Sequence, residues 1–236
     1  MDRRLVATMI QVVTFDAAGT IVDHRWDPAG VAVSSAKRLG IELPVDARER
    51  YARLHSAARE KHVEVERRGD PAEIRRFWQG LLEDWLIDMG SDPSLGRAMF
   101  ELCSSTVLGP ESDLWSLYDD VVPTLDSLGN VRAGIISNWD SSLHTVLKNL
   151  GIHDRFDFVI ASLEFGVEKP DRRIFEEAVR RSGVSPSQLL HVGDSYEDDY
   201  LGATDAGLQS LHLDRFSPSD RSANRICTLI EVQEAL

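Results

Sequence analysis

Residues 10–20 of the chain read IQVVTFDAAGT, an apolar run that ends in an aspartate, two alanines, a glycine and a threonine. The valines and the phenylalanine of this run are residue types that favour a buried strand. Similar short apolar runs recur at 131–136, 158–161, 189–192 and 208–213, and segments with helical periodicity separate the later ones. Buried strands that alternate with helices predict a parallel sheet covered on both faces, so we expect an α/β fold with a Rossmann-like core.

The span between the first two runs has a different pattern. Residues 23 to about 118 contain no convincing strand but several helix-start signals, because an aspartate followed by a proline suits a helix N-terminus. Asp46 with Glu49 also has the spacing of a capping box. The Asp-Pro pairs are Asp27-Pro28, Asp70-Pro71 and Asp92-Pro93. We therefore predict two domains, a core of residues 1–22 and 117–236 and an inserted helical cap of residues 23–116.

The composition narrows the class of partner. The 236 residues include 26 Lys plus Arg and 39 Asp plus Glu, which gives a formal net charge of −13. Nucleic-acid-binding domains usually carry a basic excess, so we expect no nucleic-acid partner. No apolar run reaches the roughly 18 residues of a membrane span. Residues 1–4, which include Arg3 and Arg4, precede an apolar run, but polar residues interrupt that run and no small-residue cleavage site follows. Because Cys103 and Cys227 are the only cysteines, we expect a cytoplasmic protein with reduced thiols and no membrane association.

Polar residues follow four of the predicted strands. In a parallel sheet, ligands bind beyond the carboxyl ends of the strands. Carboxylates gathered there repel one another unless a cation lies among them, and oxygen ligands without histidine or thiolate suit Mg²⁺. A lysine and a hydroxyl complete a site for a transferring phosphoryl group. Each residue alone also fits a helix cap or a turn, but a set of four in order does not. They are Asp16 and Thr20, then Ser137 and Asn138, then Lys169, and finally Asp194, Asp198 and Asp199.

Four motifs contain these residues. They are FDAAGT at 15–20, IISNWD at 135–140, EKPDRRIF at 168–175 and HVGDSYEDDYLGA at 191–203. With this set the chain resembles the haloacid dehalogenase superfamily, in the branch whose helical cap is inserted after the first motif. The resemblance spans nearly the whole chain, although the cap matches in position and helicity alone. It implies a Mg²⁺-dependent hydrolase, and we predict a phosphatase of a small phosphorylated metabolite.

The resemblance also implies a role for each residue of the set. Asp16 would be the nucleophile that forms an aspartyl-phosphate, with Lys169 as the second catalytic residue. We expect Asn138 to orient the loop after the second strand, with an Asx turn as the alternative, and Thr20 to steady the first motif. The phosphate-binding set is Thr20, Ser137, Asn138 and Lys169, and the metal ligands are Asp16, the backbone carbonyl of Ala18, Asp194 and Asp199. Asp199 is favoured over Asp198 because it begins the Asp-x-x-Gly-Ala continuation at 199–203.

Ala18 departs from the pattern of the phosphatases that the chain resembles. They carry a second aspartate two residues after the nucleophile, as general acid and base, and this chain has Ala18 there. General acid–base catalysis is typically worth about 10² to 10⁴ in rate. Proton transfer would therefore have to come from a cap residue, the solvent or the substrate.

Ala18 leaves two alternative functions open. One is a phosphometabolite-binding protein with impaired turnover. The other is a phosphorus–carbon bond hydrolase resembling phosphonoacetaldehyde hydrolases, which carry alanine at this position but also need a cap lysine, here Lys37 or Lys61. Haloalkanoate dehalogenases are disfavoured, because they carry an aromatic residue at this position and lack the acidic pair.

Histidines and tryptophans are the remaining candidates. His55 and His62 lie on or beside an apolar stripe of one predicted helix. Either could replace the missing acid–base group, although a packed or rim position is the simpler interpretation. Trp78 and Trp85 are predicted to belong to the core of the cap, and His191, inside the fourth run, is predicted to be a buried core histidine. The sequence indicates neither the substrate nor the oligomeric state.

Overall fold

The computed structural model describes residues 9–216 and 224–236, so the N-terminal residues 1–4 discussed above lie outside the described residues. In the described part there are eight strands and ten α-helices. The strands are β1 (Val12–Phe15), β2 (Val22–His24), β3 (Trp115–Leu117), β4 (Arg132–Ser137), β5 (Phe158–Ala161), β6 (Leu189–Gly193), β7 (Gln209–Leu213) and β8 (Arg225–Ile226). The helices are α1 (Pro28–Arg38), α2 (Ala47–Ala57), α3 (Arg59–Arg68), α4 (Pro71–Asp88), α5 (Gly96–Leu108), α6 (Val121–Ser127), α7 (Ser142–Asn149), α8 (Ser162–Phe165), α9 (Arg172–Ser182) and α10 (Gly202–Asp205).

Six of the strands form one sheet in the order β5-β4-β1-β6-β7-β8. Every neighbouring pair in it is parallel, and Phe15 at the end of β1 is in register with Ile135 of β4 and Val192 of β6. The predicted α/β fold with a parallel sheet is confirmed. The expectation of no strand between 23 and about 118 is wrong at both ends, because β2 and β3 form a separate two-stranded sheet there. Three-residue strands are too short to show a periodic pattern in sequence.

The chain divides into two compact units, Met1–His24 with Ser116–Leu236, and Arg25–Trp115. The first unit contains the six-stranded sheet, and its core includes Ile136 of β4 and Phe175 of α9. The second unit contains α1 to α5, and its core includes Trp85 of α4 and Met99 of α5. That the helical unit acts as a cap on the active site stays a prediction. None of the described helices combines the length and the apolar character needed to cross a membrane.

The helix starts of the second unit follow the predicted signals with one exception. Asp27, Asp70 and Asp92 each accept a hydrogen bond from a backbone N–H in the first turn of the helix that follows, at 2.9 to 3.0 Å. Asp46 makes no such cap and instead accepts a hydrogen bond from Arg50 at 2.9 Å, so the predicted capping box is wrong. The guanidinium one turn away is a charged donor, and it competes with the backbone for the carboxylate.

Candidate active site

The candidate site lies at the carboxyl ends of β1, β4 and β6. These three strands are adjacent and parallel, so the residues at their ends lie at one edge of the sheet. Asp16 directly follows β1, Ser137 is the last residue of β4, and Asp194 directly follows β6. The sheet order therefore brings together motifs that are more than 50 residues apart in sequence.

Asp16 is the centre of this group. The Ser137 hydroxyl donates a hydrogen bond to its Oδ1 atom at 3.0 Å, and Lys169 Nζ donates to the same oxygen at 2.6 Å. Asp16 is 6% exposed and Lys169 is 5% exposed. A buried carboxylate held by an ammonium and a hydroxyl has a fixed orientation, as a carboxylate nucleophile requires.

A second carboxylate contacts the same lysine. Lys169 Nζ donates to Asp199 Oδ1 at 2.5 Å, and Asp199 is buried. One carboxylate oxygen each from Asp16, Asp194 and Asp199 lie within 4.8 Å of one another, which is a spacing that could hold a metal ion. Asp198 is only half-buried and does not belong to this group among the described residues. The geometry therefore favours Asp199 over Asp198 as the second acidic residue.

The electrostatics of the group are those of three carboxylates with one ammonium. Burial has the largest effect on Asp16 and raises its pKa, Lys169 lowers it, and Asp199 and Asp194 raise it, so that the net direction is upward. Burial and the Asp199 carboxylate likewise raise the pKa of Asp194. For Lys169, burial lowers the pKa, but the two carboxylates raise it more, so the lysine is charged. The site as a whole has surplus negative charge, which a bound cation would neutralise.

Asn138 and Thr20 contact other residues of the site. The Asn138 side chain donates to the backbone oxygen of Lys169 at 3.0 Å and accepts from its backbone N–H at 2.8 Å. Both ends of this amide thus position the segment that carries Lys169. The Thr20 hydroxyl donates to Asp194 Oδ1 at 3.3 Å. These contacts favour a positioning role for both residues, and their predicted contact with a phosphate stays a prediction.

Two glycines leave space beside the backbone for the carboxylates of Asp194 and Asp199. Gly19 has φ of +79°, and a Cβ there would lie 2.4 Å from Oδ2 of Asp194. A Cβ at Gly193 would lie 2.1 Å from Cγ of Asp199. Any larger residue at these positions would displace a carboxylate of the site, since real contacts to a Cβ are longer than 3 Å. The backbone of the first and fourth motifs is therefore fitted to the acidic pair.

Comparison with known proteins identifies the family. Residues 10–207 match the model of a haloacid dehalogenase-like hydrolase. This chain belongs to the haloacid dehalogenase-like hydrolases. The predicted family membership and the predicted hydrolase class are thus confirmed.

Relatives of this hydrolase cover almost the same length. It is 29% identical over 210 residues to haloacid dehalogenase-like hydrolase domain-containing protein 3 of Danio rerio, with 87% of this chain and 86% of the relative aligned. It is 32% identical over 209 residues to a glyceraldehyde 3-phosphate phosphatase of Methanothermobacter thermautotrophicus, with 86% and 85% aligned. Among solved structures, a 2-haloacid dehalogenase from Pseudomonas syringae is similar with a TM-score of 0.70, 26% identity, and coverage of 96% and 97%.

One residue that contacts the candidate site is not assigned to it by the sequence pattern. His191 is buried, as predicted for a core histidine, but its Nε2 atom lies 3.0 Å from Asp199 Oδ1. Its Nδ1 atom lies 3.0 Å from the Thr14 hydroxyl. Burial lowers the pKa of His191 despite the carboxylate nearby. The two-residue alternation of side chains along a strand is a signal that points to His191. Thr14 lies two residues before Asp16, and His191 lies two residues before Gly193, so the two residues of each pair lie on the same face of the sheet.

The backbone around Asp199 is also unusual. Residues Tyr196–Leu201 form a π-helical turn, a conformation that is frequent at functional sites. The Ser195 side chain caps this turn by accepting from the Asp198 backbone N–H, and the Ser195 backbone N–H donates to Asp199 Oδ2 at 3.0 Å. The turn thus directs Asp199, and not Asp198, toward Lys169.

The histidines of the helical unit make aromatic contacts within that unit. His55 belongs to α2 and His62 to α3, so the single helix predicted for them is wrong. His55 stacks on Trp78 with ring centroids 5.7 Å apart, and His62 stacks on Phe77 at 5.1 Å. Trp85 is fully buried, as predicted for cap core. An acid–base role for either histidine stays a prediction.

Proposed function

We propose that this hydrolase is a Mg²⁺-dependent phosphatase of a small phosphorylated metabolite, with Asp16 as the nucleophile. The observation that carries the proposal is the buried Lys169, whose ammonium contacts both Asp16 and Asp199 beside the Ser137 hydroxyl. A carboxylate, an ammonium and a hydroxyl in contact can attack a phosphoryl group and bind its oxygens. The glyceraldehyde 3-phosphate phosphatase among the relatives supports the same reaction class.

The acidic residues fit a magnesium ion. Asp16, Asp194 and Asp199 supply hard oxygen ligands within 4.8 Å of one another. Burial, together with the neighbouring carboxylates, raises the pKa of Asp16 and of Asp194. The backbone carbonyl of Ala18 is the further ligand implied by the family resemblance, and an alanine retains it. Bound there, the ion would stabilise charge on the phosphoryl oxygens during the transfer.

The residues of the chain then have distinct tasks. An oxygen of Asp16 forms a bond to phosphorus while the bond from phosphorus to the leaving oxygen breaks, which yields an aspartyl-phosphate. Lys169 and Ser137 bind phosphoryl oxygens and keep Asp16 aligned for attack. Water then attacks the phosphorus of the aspartyl-phosphate, the bond from phosphorus to the Asp16 oxygen breaks, and Asp16 returns to a carboxylate as inorganic phosphate leaves with the oxygen of the water, while the proton released by the water passes to the phosphate or the solvent. Because the methyl side chain of Ala18 has no ionisable proton to donate, the leaving oxygen takes its proton from another source.

Two observations distinguish this proposal from its alternatives. A phosphorus–carbon bond hydrolase needs a cap lysine that forms a Schiff base, and such a lysine is usually desolvated. Lys37 at the end of α1 and Lys61 in α3 are both exposed. A haloacid dehalogenase would have the same fold, but it would not need the acidic pair Asp194 and Asp199. In this chain Thr20 donates a hydrogen bond to Asp194, and Lys169 donates one to Asp199.

The test is phosphate release from p-nitrophenyl phosphate, with Mg²⁺ and with EDTA. We expect release that depends on Mg²⁺ in the wild type and a loss of at least about 10³-fold in Asp16→Asn, since a nucleophile has no substitute. Asp199→Asn should lose most of the activity, whereas the matched control Asp198→Asn should retain it. A panel of phosphorylated metabolites, starting with glyceraldehyde 3-phosphate, then identifies the substrate.

Two results would contradict the proposal. Undiminished release by Asp16→Asn would remove Asp16 from the role of nucleophile. A raised melting temperature with phosphorylated metabolites, but no release of phosphate from any of them, would instead support the phosphometabolite-binding protein.

A further inference from the structure

His191 has polar contacts on both sides of its ring that burial in the core alone does not explain. It lies in β6, between β1 and β7 in the sheet, and Thr14 of β1 is its direct neighbour in register. Its ring makes an edge-to-face contact with Phe175, with the centroids 5.4 Å apart. The ring is fully buried and both of its nitrogens have a polar neighbour, Thr14 on one side and Asp199 on the other. The imidazole is thus a link between the centre of the sheet and the site.

The partners of the ring determine which nitrogen carries the proton. Asp199 Oδ1 already accepts from Lys169 and is an acceptor, so the His191 nitrogen that faces it must be the donor, Nε2–H. In a neutral ring, Nδ1 is then the acceptor, and the Thr14 hydroxyl supplies the proton for that hydrogen bond. The other partner available to Thr14, the backbone oxygen of Leu190, lies farther away at 3.4 Å. Thr14 therefore stabilises the tautomer that His191 needs.

Asp199 depends on this donor because it connects His191 to Lys169. Its Oδ1 accepts from both His191 and Lys169, and its Oδ2 accepts from the Ser195 backbone N–H. The backbone donor fixes one end of the carboxylate, and His191 fixes the rotation about that end. Without the imidazole, the carboxylate gains freedom to rotate, and Lys169 loses the fixed partner that holds it beside Asp16.

We propose that His191 is a positioning residue for Lys169 and Asp16, acting through Asp199, and that Thr14 fixes its tautomer. The expected effect of His191 on turnover rests on the proposed phosphatase function, whereas the hydrogen bonds of His191 do not depend on that function. Hydrogen-bond partners behind metal-site residues typically contribute about 10 to 100-fold to activity. We expect a substitution of His191 to lower kcat and to change KM little, because His191 acts through Asp199 and does not contact the substrate.

The kinetic test uses p-nitrophenyl phosphate with saturating Mg²⁺. We expect His191→Leu to lower kcat by about 10 to 100-fold with KM changed less than about twofold. His191→Gln, whose amide reaches the position of Nε2, should recover most of kcat, whereas His191→Asn, whose amide reaches only Nδ1, should not. Phe175→Leu is the control for packing: it disturbs the same contact without removing a hydrogen bond, and it should lower the melting temperature but leave kcat within about twofold. Equal losses in the Gln and Leu variants, or unchanged kcat in the Leu variant, would overturn the proposal.

Two measurements do not depend on turnover, so they separate this proposal from the phosphatase proposal. Long-range ¹⁵N–¹H spectra should show His191 with a proton on Nε2 in the wild type, assigned by its absence in His191→Gln, and a mixture of tautomers in Thr14→Val. A proton on Nδ1 in the wild type would overturn the proposal. A crystal structure of His191→Leu should show Lys169 Nζ displaced from Asp16 Oδ1, and retention of the 2.6 Å contact would also overturn it. If the wild type releases no phosphate, these two results decide the proposal alone.

Discussion

Substitution of Lys169 by methionine tests the electrostatic reasoning about the site. Methionine has a similar length and no charge, so it removes the ammonium and leaves the packing nearly intact. Opposite unit charges separated by the 2.6 Å between Lys169 Nζ and Asp16 Oδ1 attract with about 6 kcal/mol at an effective dielectric of about 20. Desolvation offsets much of this energy in the intact pair. The variant, however, leaves Asp16 and Asp199 buried without the cation that both contact.

Breaking a buried ion pair on one side typically costs about 3 to 5 kcal/mol. We therefore expect Lys169→Met to lower the free energy of unfolding by about 3 to 5 kcal/mol in EDTA at pH 8, measured by urea denaturation. At the size of this chain, that loss corresponds to a melting temperature lower by about 6 to 20 °C. The proposed role of Lys169 in holding phosphoryl oxygens predicts a loss of activity as well.

The dependence of this loss on pH has a definite sign. Burial already raises the pKa of Asp16, and removal of the ammonium raises it further. A carboxylate whose pKa is raised in the folded state contributes stability below its unfolded pKa, and this contribution is lost as the pH rises through the folded pKa. The variant should therefore be less destabilised at pH 5 than at pH 8. The double variant Lys169→Met with Asp16→Asn should regain part of the stability, because only one of the two buried carboxylates then lacks the ammonium that it contacts in the wild type.

A loss below about 1 kcal/mol in Lys169→Met would refute this reasoning, because it would place the pair in a well-solvated environment. So would strict additivity of the two substitutions in the double variant, since residues in direct contact must show an interaction energy. Addition of Mg²⁺ is the internal control. It should restore part of the stability of the single variant if the three carboxylates bind a cation.

Three further predictions concern neighbouring residues. Ser137→Ala should lower kcat toward p-nitrophenyl phosphate by about 10-fold without a change in melting temperature beyond a few degrees, because one hydrogen bond to Asp16 is lost. Ala18→Asp should raise the rate with alkyl phosphates by up to about 10²-fold and with aryl phosphates much less, since only the former need a proton on the leaving group. Burial raises the pKa of Asp120, but Arg215 and the backbone N–H of Leu229 lower it to a net value below the usual range. Asp120→Asn should therefore cost about 2 kcal/mol in urea unfolding at pH 7, and the difference should vanish as the pH falls through the folded pKa, below about 4.

The sheet and the strand-end residues of the candidate site were predictable from the sequence, and the reason is physical. A strand buried on both faces must be a continuous apolar run, so the run itself marks the strand and its end marks the site. Asp16, Ser137 and Asp194 could be placed together in this way, because parallel strands end at the same edge. Lys169 follows the same rule less directly, since α8 lies between the end of β5 and this residue. The short strands β2 and β3 lack such a run and escaped prediction.

The partners within the site were not predictable. A sequence pattern places a residue at a strand end but does not say which atom its side chain reaches, and Asn138 shows this. Its amide could equally well form an Asx turn or orient a loop, and the structure shows that it holds the backbone of Lys169. The sequence predicts a core residue at His191, because a histidine in an apolar run usually is one. Only the fold places Asp199 within reach of its ring.

Asp194 and Asp199, the two candidate metal ligands of the fourth motif, differ in how much of their hydrogen-bonding capacity is already used. A carboxylate has about four acceptor positions, and Asp199 uses three of them on Lys169, His191 and the Ser195 backbone N–H. Asp194 is exposed and accepts from Thr20 at a longer distance. A cation at this site would therefore meet its more available ligand in Asp194. Asp199, buried and held by three donors, could stabilise a cation by its charge while its main contact remains the lysine. In the proposed phosphatase, the pair would then combine metal binding with the positioning of Asp16.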